Sequence, residues 1–520
     1  MTGKQQNLLH EALQHWARAE ADKTAIIVAG EPYTYRDLDE CSTSLAAGLL
    51  QRGLRRGDRV AIFMENSWHC VVAIYGVLKA GGVFVVINPQ TKGEKLAFIL
   101  NDCSVRHLLA EYQLAPVYKQ ALSHCTTLTH LIVSGGNKTA TPGADGAPEY
   151  EHIEELLESK ENKSTMATII PLDLAALIYT SGSTGHPKGV MQTHQSMLFT
   201  AKSIIEYLRM DSNDVVVNVL PLAFDYGLYQ LLMCIQLGAT LVLERSFTYY
   251  LDVLQRVQNY EVTTFPGVPT IYSMIIAAHA RNPLCFPNVT RITNTAAALP
   301  VEHIPRLRGF FPNALIYSMY GLTECKRVSY LEPEMIEKKP GSVGKAIPGT
   351  EAYVLDSTGV LVRPGERGIL HVRGPHIMRG YWDRPEETLE MLVDGTIPGE
   401  KVLRTGDWFH MDEEGYLYFE GRSDDIIKCR GEKVSPLEIE FTLCNIPGVA
   451  EAAVIGVEDE TLGQAILAYV VEEGSVKLET RTLKCELAKK LESFMIPRDI
   501  IITERLPINQ NYKISKKELV

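Results

Sequence analysis

Short apolar runs alternate with amphipathic segments through the first half of the chain, and this alternation constrains the fold more than any other feature. The runs are RVAIFME (59–65), VFVVINP (83–89), HLLAEY (107–112), THLIVSG (129–135), ALIYTSG (176–182), VVVNVLPLA (215–223) and ATLVLE (239–244). Continuous apolar strands separated by helices are typical of parallel sheets that are covered by helices on both faces. We therefore expect an α/β fold with helix-covered sheets in the N-terminal portion.

The pattern changes further along the chain. Short strands with glycine turns, EAYVLDSTGVLVRPGERGILHVRG (351–374) and EEGYLYFEGR (413–422), predict a small antiparallel β subdomain at about 350–421. Residues 422–520 form a compact α/β segment that is long enough for a core of its own. The expected organisation is an N-terminal domain over 1–421, which includes the β subdomain, and a C-terminal domain over 422–520.

Composition excludes several classes of protein. The 520 residues carry a formal net charge of -12 without a block of like charges, which argues against a nucleic-acid partner. The longest apolar run, CVVAIYGVLKAGGVFVVINP (70–89), contains Lys79 and the Gly81-Gly82 pair, so it indicates helix, turn and strand instead of a membrane span. The N-terminus lacks the apolar stretch of a signal peptide, and ten cysteines without a C-x-x-C pair fit a reducing cytoplasm.

The stretch LIYTSGSTGHPKGVMQTH (177–194) places hydroxyls and glycines between an apolar run and a lysine. It departs from the Walker loop G-x-x-x-x-G-K-[ST], because Pro187 replaces the second glycine and Gly189 follows Lys188. Glycines still let backbone N–H groups approach an anion, while hydroxyls add donors and Lys188 adds charge. We predict a phosphate-binding loop; a Gly/Ser-rich surface turn is the alternative.

Six motifs follow one another along the chain. They are LKAGGVFVVINP (78–89), TSGSTGHPKG (180–189), MYGLTE (319–324), RTGD (404–407), GRSDDIIKCRGEKVSPLEIE (421–440) and NYKISKKEL (511–519). In this order they resemble the motifs of AMP-forming adenylating enzymes, the superfamily of acyl-CoA synthetases, peptide-synthetase adenylation domains and firefly-type luciferases. The resemblance spans nearly the whole chain and favours stand-alone acyl-CoA or acyl-carrier-protein ligases.

This resemblance implies a two-step reaction that uses ATP and Mg²⁺. A carboxylate attacks the α-phosphate of ATP to give an acyl-adenylate and pyrophosphate, and the thiol of CoA or of a carrier-protein pantetheine then takes the acyl group. Two anions must meet in the first step, so positioning and electrostatic stabilisation carry the catalysis.

The matched motifs also imply roles for single residues at the nucleotide. The loop that holds the β- and γ-phosphates comprises Thr180, Ser181, Gly182, Ser183, Thr184, Gly185 and Lys188. Tyr320, followed by Gly321, would stack on adenine, and Thr323 would donate to the α-phosphate. Glu324 would reach Mg²⁺, with Thr180 as a second possible metal contact. Asp407 would accept hydrogen bonds from both ribose hydroxyls, and Arg422 would assist at ribose or phosphate.

The C-terminal motifs imply a catalytic lysine and a change of conformation. Lys513 would bridge the carboxylate and the phosphate, although Tyr512 stands where the family usually has glycine. Asp424 falls at the hinge about which the C-terminal domain rotates. Lys428 and Gly431 would then lie on the thiol path.

The segments expected at the adenine and at the acid substrate each contain an unusual residue type. Ala296 and Ala297 replace the Gly-Gly pair that many relatives have before the adenine. The pocket should involve Phe224, Asp225 and Gly267. An acid within an apolar stretch needs a partner; in peptide-synthetase adenylation domains the matching aspartate pairs with the substrate amine, and otherwise Asp225 would cap the following helix.

Three functions remain open from the residues. The leading hypothesis is a carboxylate ligase that makes an acyl thioester on CoA or on a carrier protein. An amino-acid adenylating enzyme that loads a separate carrier protein is the second, and an adenylate-binding protein without turnover is the third. Lys513, Glu324 and Thr323 argue against the third, because they are the residues that turnover would need.

Overall fold

The computed structural model describes most of the chain in two compact units. The described residues are 6–136, 150–158, 168–180, 187–281, 283–295, 299–422, 427–429, 432–459, 463–474, 476–491, 495–509 and 512–519. The first unit takes the residues up to Pro266, together with Leu322–Arg327 and Gly374–Leu392. The second unit takes Gly267–Gly321, Val328–Arg373 and the residues from Val393 onward.

Helices and strands alternate along the chain. The helices are α1 (Leu9–Ala19), α2 (Tyr35–Gln51), α3 (Trp68–Lys79), α4 (Gly93–Asp102), α5 (Ala115–Leu122), α6 (Ile153–Glu158), α7 (His194–Leu208), α8 (Asp225–Leu237), α9 (Tyr250–Asn259), α10 (Pro269–Arg281), α11 (His303–Phe310), α12 (Pro385–Met391), α13 (Pro436–Cys444) and α14 (Thr480–Ala488). The strands are β1 (Thr24–Val28), β2 (Glu31–Thr34), β3 (Arg59–Phe63), β4 (Val83–Val86), β5 (His107–Glu111), β6 (His130–Ser134), β7 (Glu151–His152), β8 (Leu174–Thr180), β9 (Lys188–Thr193), β10 (Val215–Asn218), β11 (Thr240–Leu243), β12 (Thr264–Gly267), β13 (Arg291–Asn294), β14 (Leu315–Tyr320), β15 (Ser329–Leu331), β16 (Ser342–Ala346), β17 (Glu351–Leu355), β18 (Gly368–Arg373), β19 (Leu392–Asp394), β20 (Lys401–Met411), β21 (Leu417–Arg422), β22 (Ile427–Cys429), β23 (Glu432–Val434), β24 (Val449–Asp459), β25 (Gly463–Glu472) and β26 (Asp499–Thr503).

The first unit contains a sheet in the order β7-β6-β5-β3-β4-β8-β9. The pairs β3–β4, β3–β5, β5–β6 and β4–β8 are parallel, whereas β8 and β9 form an antiparallel pair. Val60, Ala61 and Ile62 at its centre are fully buried, as expected for a strand with both faces covered. The predicted parallel, helix-covered sheet is confirmed.

A second set of strands in the first unit accounts for the remaining apolar runs. β10 pairs in parallel with β11 and with β12, and β11 pairs in parallel with β1. The runs at 215–223 and 239–244 therefore belong to a different sheet from the five runs before them. Apolar content alone could not assign strands to sheets, because a buried strand looks the same in either.

The apolar run at 70–89 folds as helix, turn and strand. The hydroxyl of Ser67 accepts a hydrogen bond from the N–H of Cys70 at the start of α3, and Gly81 takes φ +78° in the turn before β4. The ammonium of Lys79 is fully buried and donates to the Asp39 carboxylate at 2.7 Å, and burial lowers the pKa of this lysine. In the part of the chain that the structure describes, no helix is long and apolar enough to cross a membrane.

The second unit contains an antiparallel sheet and a separate C-terminal sheet. Antiparallel pairs join β17–β18, β18–β20, β20–β21 and β21–β16. The predicted antiparallel strands are therefore present, and their assignment to a subdomain at about 350–421 stays a prediction. β22 to β26 form a further sheet in the order β23-β22-β25-β24, with β26 beside β25. A buried apolar cluster made entirely of residues from 427 to 500 packs with this sheet. The boundary at 421/422 stays a prediction.

Candidate active site

The predicted phosphate loop connects strands β8 and β9. β8 and β9 pair in a register that sets Thr180 opposite Lys188. Both ends of the loop are therefore fixed by backbone hydrogen bonds of one hairpin. Ser181, Gly182, Ser183, Thr184 and Gly185 lie outside the described residues, so their roles stay predictions.

The segment Gly374–Leu392 lies along β9. The N–H of Met191 donates to Gly380 O at 3.0 Å, and the N–H of Trp382 donates to Gly189 O at 2.7 Å. This pairing places the ring of Tyr381 beside the lysine that ends the loop, with Lys188 Nζ 5.4 Å from the ring centroid. Lys188 Nζ also lies 4.0 Å from Glu387 Oε1.

The residues after the MYGL sequence are held by the same two segments. Thr323 O accepts a hydrogen bond from Gln192 Nε2 of β9 at 3.2 Å, and Glu324 O accepts one from Met378 N at 2.7 Å. The hydroxyl of Tyr381 donates to Glu324 Oε1 at 2.6 Å. A proposed metal carboxylate and a proposed phosphate lysine therefore contact the same tyrosine.

The donor set at Glu324 fits a hard cation. The tyrosine hydroxyl engages Oε1 of Glu324, which leaves Oε2 to coordinate, and carboxylate oxygen is a ligand that Mg²⁺ prefers. Among the described residues no group of three or more His, Cys, Asp or Glu side chains could hold a metal ion. One protein carboxylate completed by phosphate oxygens and water is the usual arrangement for Mg²⁺ at a nucleotide.

Asp225 lies at the first position of α8, with Phe224 as the capping residue and no side-chain capping hydrogen bond in this described helix. Its Oδ2 lies 3.8 Å from Lys326 Nζ, and Lys326 is only 4% exposed. The same ammonium lies 5.1 Å and 5.2 Å from the ring centroids of Tyr226 and Tyr229. The structure thus gives Asp225 a partner within the chain, a cation packed against aromatic rings.

Asp407 and Arg422, which are predicted to lie at the ribose, lie close to Tyr320 in the second unit. Asp407 is paired with Arg422 in the β20–β21 register, and Arg422 Nε lies 3.5 Å from Asp407 Oδ1. The hydroxyl of Tyr320 donates to Asp407 Oδ2, and its ring packs against Phe409 at 4.8 Å between centroids. Asp407 is 5% exposed, so these contacts fix the direction of its carboxylate. Tyr320 therefore has a contact that its predicted adenine role did not include.

Gly267, predicted for the acid pocket, has a packing reason to be glycine. A Cβ there would come within 2.7 Å of Tyr272 Cζ, and Tyr272 is held by its hydroxyl, which donates to Thr293 O at 2.7 Å. Any larger side chain must displace that ring. Its role toward a substrate stays a prediction.

Lys513 lies in a hydrogen-bonded turn. Its N–H donates to Asn509 Oδ1 at 3.0 Å, and its carbonyl accepts from Asn509 N at 2.7 Å. Tyr512 has φ +57°, the left-handed region that glycine adopts without strain. The hydroxyl of Thr270 donates to Tyr512 O. Tyr512 therefore holds a conformation that a glycine would adopt at lower cost.

The remaining predicted residues are only partly within the described structure. Lys428 lies on β22, opposite Lys433 of β23. Ala296, Ala297, Asp424 and Gly431 lie outside the described residues. Their assignments to adenine, hinge and thiol path rest on the sequence resemblance.

Sequence reasoning missed two residues that the structure brings to this site, Tyr381 and Lys326. Tyr381 is separated from Glu324 by 57 positions, so no helical or strand periodicity links them. Lys326 lies two residues after Glu324, the last residue of the MYGLTE motif. The charged pair Lys326-Arg327, between the motif and the short strand β15, was the available signal. Such charges are almost never fully buried unless they are paired.

Comparison with known protein families gives two matches. The model of the AMP-binding enzyme family matches residues 13–382, and that of the AMP-binding enzyme C-terminal domain matches residues 438–513. Among curated proteins, a long-chain-fatty-acid–CoA ligase of Bacillus subtilis is 32% identical, over 96% of this chain and 91% of its own length.

Solved structures give the same fold. The anthranilate CoA ligase AuaEII in complex with anthranoyl-AMP has a TM-score of 0.89 and 26% identity, covering 98% of this chain and 96% of the ligase. The o-succinylbenzoate coenzyme A synthetase of Bacillus subtilis, in complex with ATP and a magnesium ion, has a TM-score of 0.83 and 26% identity, covering 98% of each chain. The sequence motifs, the two-part family match and the shared fold agree, and the chain belongs to the AMP-binding enzyme family.

Proposed function

We propose that this chain is an AMP-forming ligase that activates a carboxylic acid with ATP and transfers the acyl group to CoA. The observation that carries the proposal is that Lys188 and Glu324 both contact Tyr381. Lys188 Nζ lies 5.4 Å from the ring centroid, and the hydroxyl donates to Glu324 Oε1 at 2.6 Å. A cation for phosphate and a carboxylate for a metal are the groups that phosphoryl chemistry needs side by side.

The chain's own residues would act mainly by positioning and charge. Lys188 would offset negative charge on the β- and γ-phosphates, while Asp407, held by Tyr320 and Arg422, would accept the ribose hydroxyls. Thr323 and Lys513 would approach the α-phosphate and the attacking carboxylate. Mg²⁺, held by Glu324 and phosphate oxygens, would supply Lewis-acid polarisation of the phosphoryl group.

Two observations support a simple acid and CoA over an amino acid and a carrier protein. Asp225 already has a cation, Lys326, at 3.8 Å, so its carboxylate is engaged within the chain. The curated CoA ligase named above matches over 91% of its own length, whereas the peptide synthetases that are also similar to this chain match over 10% or less of theirs. Amino-acid loading of a carrier protein stays the second candidate, and a cytoplasmic location stays a prediction.

Domain alternation completes the proposal. The apolar cluster confined to residues 427–500 supports a C-terminal domain with its own core, as a rotating body would require. Asp424 would act as the hinge, and Lys428 and Gly431 would line the thiol path after rotation. Adenylation and thioester formation would then use different conformations of one chain.

The test is a pyrophosphate-release screen with ATP and Mg²⁺, in which medium- and long-chain fatty acids, benzoates and amino acids are supplied one at a time. We expect release with at least one simple acid, and an acyl-CoA product when CoA is added. Lys513→Ala is the control, because it should release pyrophosphate far more slowly than the parent. Release with amino acids alone would favour the second candidate, and no release with any acid would contradict an enzymatic role.

A further inference from the structure

Tyr381 contacts both charged residues of the proposed phosphate and metal site. Its hydroxyl donates to Glu324 Oε1 at 2.6 Å, and its ring lies 5.4 Å from Lys188 Nζ. We propose that Tyr381 is a positioning residue that orients Glu324 for the divalent cation and supports Lys188 for the phosphates. This inference rests on the proposed function, because it assigns a supporting role within that site.

The hydroxyl and the ring would do different work. A carboxylate with one oxygen held by a donor keeps one orientation, so its second oxygen is presented to a cation without reorganisation. The electron-rich ring face attracts an ammonium within about 6 Å. The hydroxyl should therefore govern the cation requirement, and the ring should govern contact with the phosphates through Lys188.

Tyr381 is itself held in place, as a positioning residue must be. It is 7% exposed, its N–H donates to Thr388 Oγ1 at 2.9 Å, and it forms bridges with Val190 and Arg384. Gly380 before it has φ +130°, and a Cβ there would meet Thr388 Cγ2 at 2.6 Å. This glycine lets the chain turn so that the tyrosine lies against β9.

Other partners of the two charged groups do not replace the tyrosine. Lys188 has Glu387 at 4.0 Å, beyond hydrogen-bond distance. For Glu324, the described residues offer the Tyr381 hydroxyl as its side-chain partner. Loss of this hydroxyl should therefore release the Glu324 carboxylate from its fixed orientation.

Tyr381→Phe removes the hydroxyl and keeps the ring, whereas Tyr381→Leu removes both. For Tyr381→Phe we expect the Mg²⁺ concentration at half-maximal pyrophosphate release to rise about 10- to 100-fold, the range seen when such supporting hydrogen bonds are lost. The kcat at saturating Mg²⁺ should change little. Tyr381→Leu should also raise the KM for ATP.

A direct binding measurement supplies a readout besides activity. Electron paramagnetic resonance measures the affinity of the enzyme for Mn²⁺ in the presence of a non-hydrolysable ATP analogue. Tyr381→Phe should bind Mn²⁺ about 10- to 100-fold more weakly than the parent. Tyr35→Phe is the matched control, because Tyr35 is fully buried and its hydroxyl donates to Ala239 O at 2.7 Å, away from these residues. It should leave the Mn²⁺ affinity unchanged.

An unchanged cation requirement in Tyr381→Phe, or an equal shift in Tyr35→Phe, would overturn the proposal. If the parent protein released no pyrophosphate with any acid, the proposed function would fail by itself. The Mn²⁺ measurement would still test Tyr381, since it needs bound nucleotide and no turnover. The two failures are therefore distinguishable.

Discussion

Asp225 is the residue whose interpretation changes most once its surroundings are known. From the sequence it was a substrate contact or a helix cap; in the structure its carboxylate lies 3.8 Å from Lys326 Nζ, at the start of α8. Burial is the first cause that raises the pKa of neighbouring Tyr229, and the Asp225 charge adds to it. A carboxylate that already has a cation beside it suits a pocket wall better than an amine receptor.

The pair predicts a coupled loss of stability. Asp225→Asn and Lys326→Met should each lower the free energy of unfolding by about 1–3 kcal/mol, because each removes one member of a partly buried ion pair. The double variant should lose less than the sum of the two, by about 0.5–3 kcal/mol for residues in contact. Urea denaturation of the four proteins measures this coupling. Unchanged stability in Asp225→Asn, with loss of amino-acid turnover, would return Asp225 to the substrate.

At the scale of elements, α1 and α7 meet through two buried histidines. The rings of His10 and His194 lie 6.0 Å apart, and the N–H of Leu9 donates to His194 Nδ1 at 3.2 Å, so that nitrogen carries no proton. Burial lowers the pKa of His10 to about 4 and that of His194 to about 3. Lys79 further lowers the pKa of His10, and His10 further lowers that of His194, whereas Asp173 and Glu11 oppose the shift of His194.

This contact predicts acid lability. Both histidines are neutral in the folded chain and take up a proton below pH 6.5 when it unfolds, so stability is full above that pH and falls as the pH drops toward 4. Each should remove about 2 kcal/mol between pH 7 and pH 5. The free energy of unfolding, measured by denaturation at pH 7 and at pH 5, should differ less between the two pH values in His10→Asn than in the parent. His15 is exposed on the same helix, and His15→Asn should show the same difference as the parent. An equal pH response in His10→Asn would contradict the assignment.

Elements were more predictable than the contacts between them. The runs at 59–65 and 83–89 became β3 and β4 because fully buried strands must be apolar on both faces. Tyr381 and Glu324, by contrast, meet because residues of the segment Gly374–Leu392 pair with β9, which is distant in the sequence. Long-range pairing of this kind leaves no local pattern, so the motifs indicated which residues matter but not what holds them.

At the scale of the whole molecule, the proposed function assigns two half-reactions to two conformations. Lys513 belongs to the first, so Lys513→Ala should slow acyl-adenylate formation by about 10² to 10³. Transfer from a supplied acyl-adenylate to CoA should proceed at nearly the parental rate. Single-turnover kinetics of each step provide the measurement, with Lys517→Ala from the same C-terminal segment as control. Equal slowing of both steps would refute separate conformations.

The left-handed residue Tyr512 changes how much backbone entropy the turn before Lys513 loses when it closes. A tyrosine at φ +57° carries a strain of about 1–2 kcal/mol, yet a residue with a side chain also visits fewer backbone states than glycine whenever the turn opens. Closing the turn therefore costs less backbone entropy with tyrosine at position 512 than it would with glycine. Tyr512→Gly would relieve the strain, but it would increase the number of backbone conformations of the open turn, so Lys513 would be held in place less firmly.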